Sequence, residues 1–157
     1  MPGPTRLSVR NIHKSFGTNE VLRGISLEAH DGDVICLLGA SGSGKSTLLR
    51  CINLLETAND GEIWVDGEQI KMVHKGGKYQ PESQAQVDHI RSELGMVFQS
   101  FNLWSHMTVL QNVIEGPVHV LGRPRAECIA EAEALLEKVG IADKRHSYPA
   151  HLSGGQQ

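Results

Sequence analysis

At 157 residues and 39% hydrophobic content the chain is long enough for one compact domain with a core and too short for two of ordinary size. Its 18 acidic side chains outnumber 15 lysines and arginines for a net charge of -3, which excludes a broad basic face for nucleic-acid phosphates or anionic lipid. Cys36, Cys51 and Cys128 form no C-x-x-C pair, which excludes zinc-finger and dithiol chemistry, and no run reaches the roughly 20 apolar residues that cross a bilayer.

The opening MPGPTRLSVR lacks the apolar core of a signal peptide, so a cytoplasmic chain is expected. Leu7 to Ile12 and, in part, Val21 to Ala29 alternate apolar and polar residues as half-buried strands do, with Gly17, Thr18 and Asn19 as a turn between them. Asp31-Gly32 marks a further turn. Val34 to Leu38 is then a continuous apolar run of strand length, as expected of a parallel strand covered on both sides, and Cys36 within it reads as buried, like Cys51. From Ser46 onward Leu48, Leu49, Ile52 and Leu55 recur at helical spacing until Asn59, Asp60 and Gly61.

Ile63 and Val65 lie in a short strand between two Asp-Gly turns. Lys71 to Pro81 reads as a solvated loop, Val87 to Leu94 as a short helix, and Gly95 to Phe98 as a second apolar strand ending at Gln99. Thr108 followed by Gln111 is a capping box opening a helix that Gly116-Pro117 interrupts. Pro124 opens another, in which Ile129, Ala132, Leu136 and Val139 share a face and Gly140 supplies the stop. The eight histidines are dispersed, and His146 and His151 have no Cys pair nearby to complete a metal site.

GASGSGKST at Gly39 to Thr47 satisfies G-x-x-x-x-G-K-[ST] through Gly39, Gly44, Lys45 and Ser46, with Ala40, Ser41, Gly42 and Ser43 between. Glycines let the backbone turn its N–H groups inward as a nest, and the helix N-terminus that follows adds its free amides, so phosphate oxygens are bound by main chain. Lys45 adds a positive charge at the β- and γ-phosphates, Ser46 offers a hydroxyl to Mg²⁺, and Thr47 donates near the α-phosphate. Such a match alone also describes a Gly-Ser turn, but it follows an apolar strand and opens an apolar-faced helix, the context the motif requires.

A second motif narrows the field. HLSGGQQ at His151 to Gln157 resembles the signature of ABC ATPases, through Leu152, Ser153, Gly154, Gly155 and Gln156. Phe16 in HKSFG stands where that family places the aromatic that stacks on adenine, and Gln99 in GMVFQSFNLW matches the Q-loop glutamine. Each taken singly has a plainer reading: a core aromatic, a polar strand end, a Gly-rich turn. The resemblance implies an α/β fold with a P-loop NTPase (RecA-like) core, an N-terminal antiparallel β subdomain and an α-helical subdomain, divided at 1–70, 71–99 and 100–157. It implies ATP and Mg²⁺ as cofactors, with Ser46 and Gln99 toward the metal and Lys45 and Gln99 in catalysis. It implies that Ser153, at a helix N-cap, and the glycines after it close over the ATP of a second ATP-binding subunit, forming a dimer sandwich.

LRCINLLE and MVFQSFNLWSHMTVLQNVIEGPVHVLG further resemble the ATPases of bacterial polar amino-acid importers, which serve histidine, basic amino acids and opines. Expected partners are therefore transmembrane permease subunits and, indirectly, an external solute-binding protein, with no nucleic acid, at the cytoplasmic face of the inner membrane. Phe101, Leu103, Trp104 and Met107 are expected either to dock a membrane subunit or to pack as core. The strand carrying the family's magnesium aspartate and general-base glutamate is expected after Gln157, as are the D-loop and switch histidine. The chain is thus expected to be part of a longer product and, by itself, to bind nucleotide weakly at best without turning it over. A non-transport ABC ATPase and a catalytically inert nucleotide- or partner-binding fragment are the alternatives.

Overall fold

The alternation over the first thirty residues becomes a long antiparallel hairpin, β1 (Thr5–Phe16) and β2 (Asn19–His30), closed by Gly17-Thr18 so that Phe16 sits opposite Asn19. Val9 and Ile12 are three apart, yet both are buried on one side. A bulge between them, with Asn11 at φ 51°, absorbs the extra residue. β3 (Asp60–Val65) pairs antiparallel with the other edge of β1, and β4 (Glu68–Gln69) with β3, giving the order β2-β1-β3-β4.

The computed structural model describes residues 3–157, which divide into one compact unit reaching to Met96 and a second spanning Val97–Gln157. In the first unit, α1 (Lys45–Ile52) lays Leu48, Cys51 and Ile52 into a core shared with Val9, Ile12, Ile63 and Val65 of the sheet. α2 (Gln84–Glu93) adds Val87 and Ile90 to the same core. The Ser83 hydroxyl caps α2 by accepting from the Gln86 amide, and Arg91 in its last turn donates to the carbonyls of Asn53 and Leu54 just past the end of α1.

Four expectations are corrected here. Val34 to Leu38 and Gly95 to Phe98 are not in strands: among the described residues neither segment finds a ladder partner, and Val34, Leu38 and Val97 are 90%, 92% and 98% exposed. An extended run without a partner has no bonds for its backbone groups and does not form a strand, however apolar it is. Cys36 is consequently exposed, whereas Cys51 is buried. Lys71 to Pro81 is not a loop but a hairpin, β5 (Met72–Lys75) and β6 (Lys78–Pro81), turned by Gly76 and Gly77 at φ 60° and 74°. Both residues with positive φ in a two-residue connection match the twist of the flanking strands, which is why Gly-Gly suits the position. α1 ends at Ile52, short of Leu55; Leu49 on it and Leu55 beyond it are half exposed, and Cys51 takes the buried place between Leu48 and Ile52.

In the second unit, α3 (Val109–Glu115) opens with the full reciprocal capping box of Thr108 and Gln111. Gly116-Pro117 does not end it outright; the chain widens into a π-helical turn, Gly116–Val120. α4 (Arg125–Lys138) follows Pro124 and stops before Gly140, whose φ is 77°. It buries Cys128, Ala132 and Leu136, while Val139, expected on that face, is 68% exposed.

Candidate nucleotide-binding site

The first unit carries Gly39 to Thr47 between the unpaired 34–38 run and α1. Gly44 is the N-cap of α1, at φ 93° and ψ 0°, with no side chain to cap the helix. A Cβ there would fall 2.9 Å from Leu22 Cδ2 and 3.1 Å from Val21 Cγ1, so the close seating of the loop on β2 requires glycine. The Leu48 amide, donating to Gly44 O at 2.8 Å, makes the first intrahelical bond. The amides before it point forward out of the helix N-terminus, where partial positive charge accumulates.

Lys45 Nζ folds back across this loop, donating to Gly39 O and Ala40 O at 2.8 Å each and to Ser43 Oγ at 3.3 Å. A Cβ on Gly39 would stand 2.7 Å from Ser43 Oγ and 4.0 Å from Lys45 Nζ, filling the space the loop encloses. Backbone N–H groups, an ammonium held only by neutral acceptors and the exposed Ser46 make a donor set suited to a triphosphate with its magnesium. Phe16 ends β1 in the same unit with 48% of its surface exposed.

Gln99 and the signature lie in the second unit. Gln99 is exposed in the irregular stretch before α3. Leu152 is buried with Val109 and Leu136, which anchors the signature to α3 and α4. Ser153, Gly154 and Gly155 are exposed beyond it. The Gln156 side chain accepts from the Ser153 amide at 3.0 Å, and the amides of Gln156 and Gln157 both donate to Ser153 O, so a first turn is formed at the place expected of a helix N-terminus. Phe101 lies against Gly154, 3.7 Å from where a Cβ would stand.

Asn112 is a residue that sequence reasoning missed. Its Oδ1 accepts from the Trp104 amide at 2.8 Å, and its Nδ2 donates to the carbonyls of Trp104, Met107 and Thr108, fixing the 104–108 segment. Phe101 and Trp104 are 53% and 51% exposed, and Leu103 and Met107 are partly buried, so core packing does not account for the two aromatics. Among the described residues no cluster of histidines, cysteines and carboxylates could hold a metal ion by itself, and no helix is long and apolar enough to cross a membrane.

Residues 22–157 match the family model described as ABC transporter, which is most of the chain. The chain belongs to the ABC transporter family. It is 57% identical over 160 positions to the octopine permease ATP-binding protein P of Rhizobium radiobacter, covering 100% of this chain and 61% of that protein. It is 54% identical over 153 positions to the arginine/ornithine transport ATP-binding protein of Pseudomonas aeruginosa, covering 97% and 60%. The ABC chain cbiO1 from Clostridium perfringens, part of the transporter complex cbiONQ, superimposes with a TM-score of 0.78 at 27% identity, over 98% of this chain and 57% of that one. The α/β fold of P-loop ATPases expected from sequence is thus the fold this ABC chain shares. The chain spans about 60% of the length of the curated relatives it matches.

Proposed function

We propose that this chain is the nucleotide-binding part of an ATP-driven importer motor that energises uptake of polar amino acids. The observation that carries the reading is the loop Gly39 to Thr47 with the Lys45 ammonium across it, in the same chain as HLSGGQQ. The class of cargo is supported by relatives whose names state octopine and arginine/ornithine transport. In this reading 1–70, 71–99 and 100–157 serve as β subdomain with phosphate loop, insertion with Q-loop, and helical subdomain.

Each residue then has a physical task. The amides from Gly39 to Thr47 bind phosphate oxygens, and Lys45 exchanges two neutral carbonyl acceptors for an anionic one, which adds attraction between opposite charges to a bond its ammonium already assists. Ser46 would hold the metal, which when bound would neutralise charge on the β- and γ-phosphates. Phe16 stacks on the adenine. Leu152 to Gln156 present the amides of the signature turn to the ATP of a partner subunit, and none of the 157 residues is assigned the general base. Phe101, and Trp104 on the segment fixed by Asn112, meet a permease subunit at the inner face of the membrane.

The test is uptake. In cells whose full-length gene carries Lys45→Ala, accumulation of labelled arginine or histidine should fall to the level of a deletion strain. Wild-type accumulation would remove the transport reading.

A further inference from the structure

We propose that Lys14 is a positioning residue for Phe16: its buried ammonium, fixed by Glu56 and the Thr57 carbonyl, seats the inner face of the ring and leaves the outer face for the base. The inference rests on the proposed stacking of Phe16 on adenine and goes beyond it by naming what holds the ring. Lysine is among the residues least often buried, and an ammonium withdrawn from water must be compensated. Lys14 is 7% exposed, and its Nζ donates to Glu56 Oε1 at 2.6 Å and to Thr57 O at 2.8 Å. The same nitrogen stands over the Phe16 ring, 4.8 Å from its centroid. That is within the reach at which a cation is attracted to an aromatic face.

Lys14 and Phe16 are two apart at the end of β1, and the contact between ammonium and ring joins them across the register shift that lies between Lys14 and Ser15. The strand end that carries them is strapped as well. Asn59 Oδ1 accepts from the Ser15 amide at 2.6 Å, and the Asn59 amide donates to His13 O at 2.8 Å. Residues 56 to 59 thus grip three successive residues ahead of Phe16. They follow α1, whose other end is the phosphate loop, and the Glu56 amide donates to Arg50 O within that helix. The end of β1 that carries Phe16 is thus tied to the segment that leaves the helix headed by the phosphate loop. A cation behind the ring also withdraws electron density from it, which favours stacking of an electron-rich purine on its other face.

The experiment separates base from phosphate. Dissociation constants of ATP and of inorganic tripolyphosphate, both with magnesium, are measured on the full chain, and their ratio reports the contribution of the nucleoside. Lys14→Met should weaken ATP about five- to tenfold while leaving tripolyphosphate within about twofold, and Lys14→Arg should recover most of the ratio. The double variant Lys14→Met/Glu56→Gln leaves no unpaired buried charge, and should lose the ratio to the same extent if the single variant proves unstable. A lysine that served the fold alone would leave the ratio at its wild-type value in every folded variant, and that result overturns the inference. Phe16→Ala provides the control. If it leaves the ratio unchanged, the stacking reading fails and the inference with it; if it loses the ratio while Lys14→Met keeps it, only the inference fails.

Discussion

Cys36 and Cys51 lie fifteen positions apart in opposite chemical environments. Cys36 stands exposed on the unpaired 34–38 run, and Cys51 is wholly enclosed between α1 and the sheet. Burial disfavours the thiolate and pushes the Cys51 thiol up to about 11 from 9.0. The folded chain therefore retains a proton that the unfolded chain releases above pH 9, so this thiol's contribution to stability is constant below that value and declines between about 9 and 11. The loss is of order 2–3 kcal/mol by linkage, visible as a drop in melting temperature between pH 8.5 and 10.5. At neutral pH a disulfide reagent should modify Cys36 rapidly and reach Cys51 and Cys128 only after denaturant is added. Rapid modification of all three thiols in the native chain would contradict this placement. From sequence both cysteines look alike, because each sits among apolar neighbours. What separates them is whether a second surface covers the run, which no local pattern records.

Among the elements, those set by local chemistry were legible in advance and those set by distant partners were not. The Thr108–Gln111 capping box, Pro124 ahead of α4 and Gly140 behind it each satisfy or relieve backbone groups within a few residues, and all three stand where the sequence places them. In the 72–81 hairpin Gly-Gly among lysines resembles flexible chain, although a two-residue turn with positive φ at both positions is its more specific use. Thr108→Ala should cost about 1 kcal/mol by removing a hydroxyl acceptor from the Gln111 amide, measured as a lower denaturation midpoint. Gly77→Val should cost a further about 1–2 kcal/mol, because a branched side chain is forced to φ 74°. Neutral effects in both variants would mean that neither device contributes to the folded state. In the candidate site the stretch Gly39 to Thr47 was legible as a glycine-rich loop leading into a helix, since its spacing is local. The Lys14–Glu56 mount and the Asn112 clasp were not, because each joins side chains to groups whose proximity depends on the folded chain.

At the scale of the whole molecule, the two units divide the recognised motifs between them. The phosphate loop and Phe16 belong to the first, and Gln99 and the signature to the second. The first unit shows why an apolar pattern alone did not yield the expected central strand. Its two sheets are antiparallel throughout, and Val34 to Leu38 has no ladder partner among the described residues. What this unit does possess is a glycine-rich loop at the head of α1 with the Lys45 ammonium across it, and the functional account depends on that feature. Equilibrium titration of the chain with Mg-ATP, wild type against Lys45→Ala, tests it most directly. The account predicts saturable binding by the wild type, displaced by tripolyphosphate, and weakened at least about tenfold in the variant, as loss of a charge-assisted phosphate contact requires. Equal affinity in the two proteins, or no saturable binding by the wild type, would contradict it.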